Sequence, residues 1–141
     1  MKRTLPIIIS VLIITILIAA VFFLDYYNAK VLSIKIENQL IDDEIIVSEV
    51  NMPNYGFVFV SQTVENGKRF VGTSGFLTKG KHQNIKIIIN NESRTRLDKN
   101  QNTFSVKLLH DTTGERLADV SDDLPLKSYF GFEYSKDFFS K

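Results

Sequence analysis

The sequence has no cysteine and no tryptophan, and its 17 Lys and Arg residues nearly balance its 16 Asp and Glu residues. Without cysteine the chain forms no disulfide, zinc–thiolate site or thiol nucleophile, so its core alone must stabilise any folded domain. The interspersed charges give no basic face, and we expect no nucleic-acid partner. The G-x-S-x-G, H-E-x-x-H and phosphate-loop motifs are also missing. We therefore predict no enzymatic activity, no cofactor and no small-molecule substrate.

One long apolar run, Leu5 to Leu24, follows Lys2 and Arg3 and ends before Asp25. At ~1.5 Å per helical residue it spans roughly 30 Å, the thickness of the hydrocarbon core of a bilayer. A cleavable signal peptide is the alternative, but the run is longer than a usual h-region and no small-x-small site follows it. We predict a signal anchor that crosses the cell membrane once.

The flanking charges predict the orientation of this anchor. The positive-inside rule places Lys2 and Arg3 in the cytoplasm, so the C-terminal part of the chain lies outside the membrane. We divide the chain into a cytoplasmic N-terminus at 1–4, a transmembrane helix at 5–24, a juxtamembrane linker at 25–30 and an extracytoplasmic domain at 31–141. The lipid bilayer, contacted through Leu5–Leu24, is the first expected partner.

Alternating or continuous apolar residues predict strands throughout 31–141. The predicted strands are Leu32–Glu37, Ile45–Val50, Tyr55–Val60, Asn84–Ile89, Phe104–Leu109 and Tyr129–Tyr134. Asn66-Gly67 predicts a hairpin between Val58–Val64 and Arg69–Thr73, because both central residues of such a turn tolerate positive φ. The polar segment Asn90–Asn102 is predicted to be an exposed loop. Together these segments predict an all-β fold, an immunoglobulin-like antiparallel β-sandwich of about seven strands.

The last predicted strand, Tyr129–Tyr134, is aromatic on one face. Phe130, Phe132 and Tyr134 share that face if the segment is extended. The favoured interpretation is that this face closes the core. The alternative is an exposed edge strand that pairs with a partner.

Several weak motifs recur in a characteristic order. They are Val47–Pro53, Gly56–Val60, Val71–Leu77, Gly80–Ile85 and Leu109–Thr112. In this order they resemble an uncharacterised immunoglobulin-like β-sandwich family found in surface proteins of archaea and some bacteria. The similarity covers about Ile36 to Tyr134. It implies a surface location and a fold, and it implies no chemistry.

The two histidines, His82 and His110, fall on positions of that pattern. Together with Asp111 they are candidate ligands for a divalent metal ion. The alternative is that each histidine hydrogen-bonds a loop carbonyl at the end of a strand. The wide spacing and the lack of an evident third ligand favour the structural role, so we predict no metal.

Two acidic groups, Asp42-Asp43-Glu44 and the Asp119, Asp122 and Asp123 group, are candidates for calcium binding. Neither has the alternating spacing of a calcium loop. In a third segment, 111–119, Arg116 adds a positive charge. Solvated turns are therefore the favoured interpretation of all three.

The sequence favours a membrane-anchored module that binds a protein or the cell surface. Its loops Asn90–Asn102 and Ser121–Leu126 would contact another envelope or surface protein. The alternative is a structural or accessory subunit of an envelope or archaellum/pilus-like assembly. A pilin itself is disfavoured, because Leu5–Leu24 contains no acidic residue.

Overall fold

A computed structural model describes residues 4–98, 100–116 and 124–141. Its first element is helix α1, Thr4–Tyr27, which continues as a π-helical turn over Asn28–Leu32. This apolar helix is long enough to span a membrane. The helix therefore runs through 25–30, which we expected to be a linker. The residues on which the predicted orientation depends, Lys2 and Arg3, lie outside the described residues.

The π turn ends at Ser33, which donates two hydrogen bonds to the carbonyl oxygen of Asn28. Its N–H donates to that oxygen at 3.1 Å and its hydroxyl at 2.6 Å. Because the chain stays helical to Leu32, the first strand is only Ile34–Lys35, shorter than the predicted Leu32–Glu37. The helix thus passes into the first sheet with only Ser33 between the π turn and that strand.

In the part of the chain that the structure describes, eight strands form two antiparallel sheets, so the protein is mostly β, as predicted. The strands are β1 (Ile34–Lys35), β2 (Glu44–Met52), β3 (Gly56–Val64), β4 (Gly67–Thr73), β5 (Gly80–Ile88), β6 (Thr103–His110), β7 (Leu124–Pro125) and β8 (Ser135–Phe139). One sheet has the order β1-β2-β5. The other has the order β4-β3-β6, with β7 and β8 both paired to the far side of β6.

A single cluster of buried residues joins the two sheets. It includes Ile45, Val47 and Val50 from one sheet and Val58, Val60, Phe104, Val106, Leu108 and Phe138 from the other. Phe104, Val106 and Leu108, at alternate positions of β6, all point into this cluster. Strand β3 is buried on both faces, since the neighbouring residues Phe57 and Val58 are both buried.

The predicted hairpin joins β3 to β4, but its turn differs in detail. Val64 pairs with Gly67, so the two loop residues are Glu65 and Asn66. Among residues 64–67 of this turn, Gly67 alone has a positive φ, 131°. The positive φ therefore falls on Gly67, which already pairs with Val64 as part of the strands. Asn66, in the loop itself, does not adopt a positive φ.

The predicted last strand, Tyr129–Tyr134, is wrong. This segment is a tight turn in which Ser128 N–H donates to the Phe132 carbonyl at 2.9 Å. Gly131 has a φ of 86°, a left-handed conformation that interrupts extended backbone. The final strand β8 starts only at Ser135. The aromatic residues therefore do not share one core-facing surface.

Asn90–Asn102 is not only a loop, because it contains a short helix, α2 (Asn91–Arg96). The Asn90 side chain caps it by accepting a hydrogen bond from Ser93 N–H at 2.7 Å. No apolar stripe marks this helix in the sequence. The sequence signal that the prediction missed is the N-cap residue Asn90.

Candidate functional site

The histidines lie in different sheets. His82, in β5, is opposite Val50, and its Nε2 is 2.7 Å from the carbonyl of Thr78. His110 ends β6, and its Nε2 is 3.3 Å from the Asn54 amide nitrogen. Among residues 4–98, 100–116 and 124–141, no three His, Asp or Glu side chains are placed to share a metal ion.

Asp111 follows His110 and is only 2% exposed. Its carboxylate accepts hydrogen bonds from Gly114 N–H at 2.8 Å, Arg116 N–H at 3.1 Å and the Thr113 hydroxyl at 3.3 Å. Burial raises the pKa of Asp111, but these hydrogen bonds outweigh burial and hold the pKa below its usual range. The carboxylate therefore shapes the loop after β6.

That loop forms one wall of a small aromatic cavity of about 240 Å³. The cavity is lined by Tyr55, Phe76, Asp111, Gly114 and Arg116. The Arg116 guanidinium lies 5.4 Å from the centroid of the Phe76 ring, a cation–π geometry. Sequence reasoning missed this cavity, because its residues come from three separate segments of the chain.

A larger cleft of about 480 Å³ opens at the end of the domain where β3 ends and β6 begins. We call it the end cleft. Its lining combines charged, amide and apolar side chains: Ile41, Gln62, Arg94, Leu97, Asp98, Gln101, Asn102, Phe104, Ser140 and Lys141. The segment Asn90–Asn102, predicted to contact a ligand, thus supplies much of one wall. The other predicted contact segment, Ser121–Leu126, lies partly outside the described residues.

Gln62 holds this wall in place from inside the domain. Its side chain is 1% exposed, donates to the carbonyls of Asp98 at 2.7 Å and Gln101 at 2.8 Å, and accepts from Asp98 N–H at 2.8 Å. A buried amide whose hydrogen bonds are all made fixes the geometry of the groups around it. The wall of the end cleft is therefore preorganised.

Two of the three acidic candidates at 42–44 form ion pairs with basic side chains. Asp43 forms an ion pair with Arg94, and Glu44 forms one with Lys86 at 3.3 Å. The Asp43 pair ties α2 to the turn before β2. The second acidic group, Asp119, Asp122 and Asp123, lies outside the described residues.

The end of α1 packs against the turn before β8. Asp25 accepts hydrogen bonds from the Ser128 hydroxyl at 2.5 Å and from Phe130 N–H at 3.0 Å. Lys30 Nζ donates to Ser135 Oγ at 2.7 Å, and Ala29 is fully buried. We call these contacts the joint, since they link the apolar helix to the β domain.

Comparison with known proteins identifies the family of the domain. Residues 32–137 match the family model of a domain of unknown function, DUF7282. The chain belongs to this family. The DUF7282 match begins at the last residue of the π turn and ends within β8, so it contains β1 to β7 and the first three residues of β8 but not α1. No curated protein matches the chain, and no solved structure matches it either.

Proposed function

We propose that this chain is a single-pass, membrane-anchored extracytoplasmic module with an immunoglobulin-like β-sandwich that binds an envelope or surface protein without catalysis. The end cleft is the observation that carries the proposal. It is concave, its wall is fixed by the buried Gln62, and it combines charged and apolar side chains. Protein-binding surfaces commonly combine such groups.

The position of the end cleft relative to the joint supports this function. Strand β8 begins at Ser135, beside Lys30, and leads to Ser140 in the cleft. At ~3.3 Å per residue, five strand residues separate the cleft from the joint by roughly 17 Å. A helix fixed in the membrane would therefore hold the cleft away from the lipid surface, where another protein can reach it.

The lining of the end cleft favours a peptide-like surface over an apolar small molecule. Arg94, which is paired with Asp43, and Asp98 place charges of both signs in its lining, and Lys141 adds a second cation. Leu97 and Phe104 supply apolar surface beside them. A protein segment with an apolar side chain flanked by charged residues complements this arrangement.

Assembly by strand addition has less support from the sheet edges. The outer strand β5 carries Lys81 and Lys86, and its Asn84 has a left-handed φ of 53°. Charged side chains and irregular backbone at an edge discourage pairing with another strand. A structural subunit would have to use a different surface.

Site-specific photo-crosslinking in intact cells tests the proposal. A benzoylphenylalanine at Asn102, in the end cleft, should form an adduct with a distinct envelope protein, and one at Lys68, in the β3–β4 turn region, should not. The adduct should disappear in the Gln62→Ala background. Adducts only between copies of this chain would favour the assembly subunit and overturn the binding module.

A separate experiment tests the orientation. Because the chain contains no cysteine, one introduced cysteine can be labelled selectively. A single cysteine introduced at Lys79, in the exposed segment before β5, should react in intact cells with a maleimide that cannot cross the membrane. Labelling that requires lysis would place the domain in the cytoplasm and overturn the proposed location.

A further inference from the structure

An aromatic hairpin tip lies beside the end of α1. It comprises residues 128–132, Ser-Tyr-Phe-Gly-Phe, and the flanking residues Lys127 and Glu133 form a bridge at its base. Tyr129 is 91% exposed and Phe130 is 39% exposed. Two large aromatic side chains at an uncharged tip are an unusual surface to leave in water.

The tip packs against the apolar run of α1. The Phe22 ring lies 4.7 Å from the Phe130 ring and 5.1 Å from the Phe132 ring. The Tyr26 ring contacts Phe132 at 5.2 Å. Phe22 precedes the end of the run at Leu24 by about 3 Å along the helix axis. The tip thus lies level with the end of the apolar run.

The backbone of the tip is largely paired within the protein. Ser128 N–H donates to the Phe132 carbonyl at 2.9 Å, and Gly131 N–H donates to the Ser128 carbonyl at 3.0 Å. Phe132 N–H is bound by the Ser128 hydroxyl at 3.1 Å and Phe130 N–H by Asp25 at 3.0 Å. Paired backbone groups lower the cost of entering a medium that offers few hydrogen bonds.

An apolar groove of about 420 Å³ continues from the tip along the helix. Ile18, Ala19, Phe22, Phe23, Tyr26 and Phe132 line it. Five of these six residues belong to α1, so the groove faces the same surroundings as the helix. In a bilayer that α1 spans, those surroundings are lipid chains.

We propose that the hairpin tip 128–132 inserts into the membrane interface beside α1, where bilayer lipids cover Tyr129 and Phe130 and fill the groove. The inference rests on the proposed membrane anchor. Aromatic rings, and tyrosine in particular, favour the boundary between lipid chains and headgroups. The membrane contact then has two parts, α1 and the tip, and the joint keeps them together.

Tryptophan fluorescence tests this contact, because the chain has no tryptophan and one introduced residue reports alone. The full-length variants Y129W and F130W are reconstituted in phosphatidylcholine vesicles, with bromine placed on the lipid chains either near the headgroup or near the chain end. We expect blue-shifted emission and stronger quenching by the bromine near the headgroup. Tyr129 is the safer site, since its exposed side chain leaves the core unchanged.

Two further variants separate the possible outcomes. F70W, at an exposed residue of β4 on the opposite edge of the sheet, should remain unquenched. L17W, within α1, should be quenched by bromine near the chain end. If L17W is quenched while Y129W and F130W behave like F70W, the tip inference is wrong and the anchor stands. If L17W is not quenched either, the anchor fails and the inference fails with it.

Discussion

The carboxylate of Asp25 accepts a hydrogen bond of 2.5 Å from the hydroxyl of Ser128, a residue 103 positions later in the chain. Asp25 follows the apolar run, and Ser128 opens the hairpin tip. The same Ser128 hydroxyl accepts a hydrogen bond from Phe132 N–H at 3.1 Å. One side chain therefore connects the end of α1 to the internal structure of the tip.

We predict that Ser128→Ala loosens this joint. Asp25 loses a donor and Phe132 N–H loses its acceptor, so the amides of 128–132 should exchange with solvent faster. Hydrogen exchange of the full chain in detergent, followed by mass spectrometry, measures this. Peptides from β3 should be unaffected, because this strand pairs with β4 and β6 and not with residues of the joint.

Ser61→Ala is the matched control. Ser61 is another buried serine, but its hydroxyl has no hydrogen-bond partner among the described residues. Removing an unpaired buried hydroxyl is neutral or slightly stabilising. Equal effects of the two substitutions on the tip would contradict the role assigned to Ser128.

The second prediction concerns acid stability. Hydrogen bonds from Lys81 at 2.8 Å and Lys35 at 2.9 Å lower the pKa of Glu49 from its ordinary 4.5 to about 2. Because the folded pKa is the lower one, Glu49 contributes stability above pH 4.5, and this contribution is lost as the pH falls from 4.5 to about 2. Urea unfolding of wild type and Glu49→Gln across this range measures the effect.

The difference in stability between wild type and Glu49→Gln should shrink as the pH falls through that window. Glu65→Gln, in the exposed β3–β4 turn, is the control for replacing a glutamate by glutamine elsewhere on the surface. Salt should also reduce the Glu49 effect, because both lysines are exposed and their charges are screened. A difference that stays constant from neutral to acid pH would rule out this ion-pair cluster.

Two glycines allow a third, closely matched comparison. A Cβ atom at Gly56 would lie 1.8 Å from the Leu109 carbonyl oxygen, whereas one at Gly75 would meet nothing within 4 Å. Gly56→Ala must shift β3 away from β6, at a cost of about 1–3 kcal/mol in the free energy of unfolding. Gly75→Ala should have little effect. Chemical denaturation of both variants checks this, and equal stabilities would show that β3 and β6 are less closely packed at Gly56.

The predictable part of the fold was the set of strands whose own apolar residues indicate that they are buried. The apolar residues of β2, β3 and β6 reveal these strands directly, because neighbouring side chains point to opposite faces. The same reasoning failed at Tyr129–Tyr134. Phe130, Phe132 and Tyr134 stand at alternate positions and mimic a strand, but Gly131 turns the chain. Phe132 packs against the core cluster and against Phe22 and Tyr26 of α1, and no local pattern can indicate these distant partners.

The candidate sites were less predictable for a similar reason. His82 and His110 were candidate metal ligands because they are the two histidines of this chain. They lie in separate sheets, since His82 pairs with Val50 in one sheet and His110 pairs with Gly56 in the other. The end cleft depends instead on Gln62, a polar residue within an otherwise apolar strand. The structural role of Gln62 is visible only in the folded protein, where the carbonyls of Asp98 and Gln101 accept its hydrogen bonds.

The fourth prediction follows from the positions of the histidines. Chelator should leave the melting temperature of the full chain in detergent unchanged, and no stoichiometric metal should co-purify. An ion bound only to the folded state would stabilise it by mass action, so its removal would lower the melting temperature. A drop that disappears in His110→Gln would assign a metal ion to the loop after β6.

The last prediction compares two phenylalanines near the C-terminus. Phe138 is 1% exposed and its ring lies 5.4 Å from the Phe104 ring, so Phe138→Ala leaves a cavity between the sheets. Such truncations cost ~3–5 kcal/mol, a large share of the ~5–15 kcal/mol that stabilises a domain. Phe132 is half-buried and faces the rings of Phe22 and Tyr26. Phe132→Ala should therefore cost only about 1–2 kcal/mol.

The two substitutions should differ in which region they destabilise as well as in how much stability they remove. Phe138→Ala should accelerate hydrogen exchange throughout the second sheet, because Phe138 contributes to the common core. Phe132→Ala should accelerate exchange mainly at 128–132, where the tip loses its contact with α1. If Phe132→Ala instead destabilises both sheets as strongly as Phe138→Ala, Phe132 belongs to the core and the joint is not a separate contact.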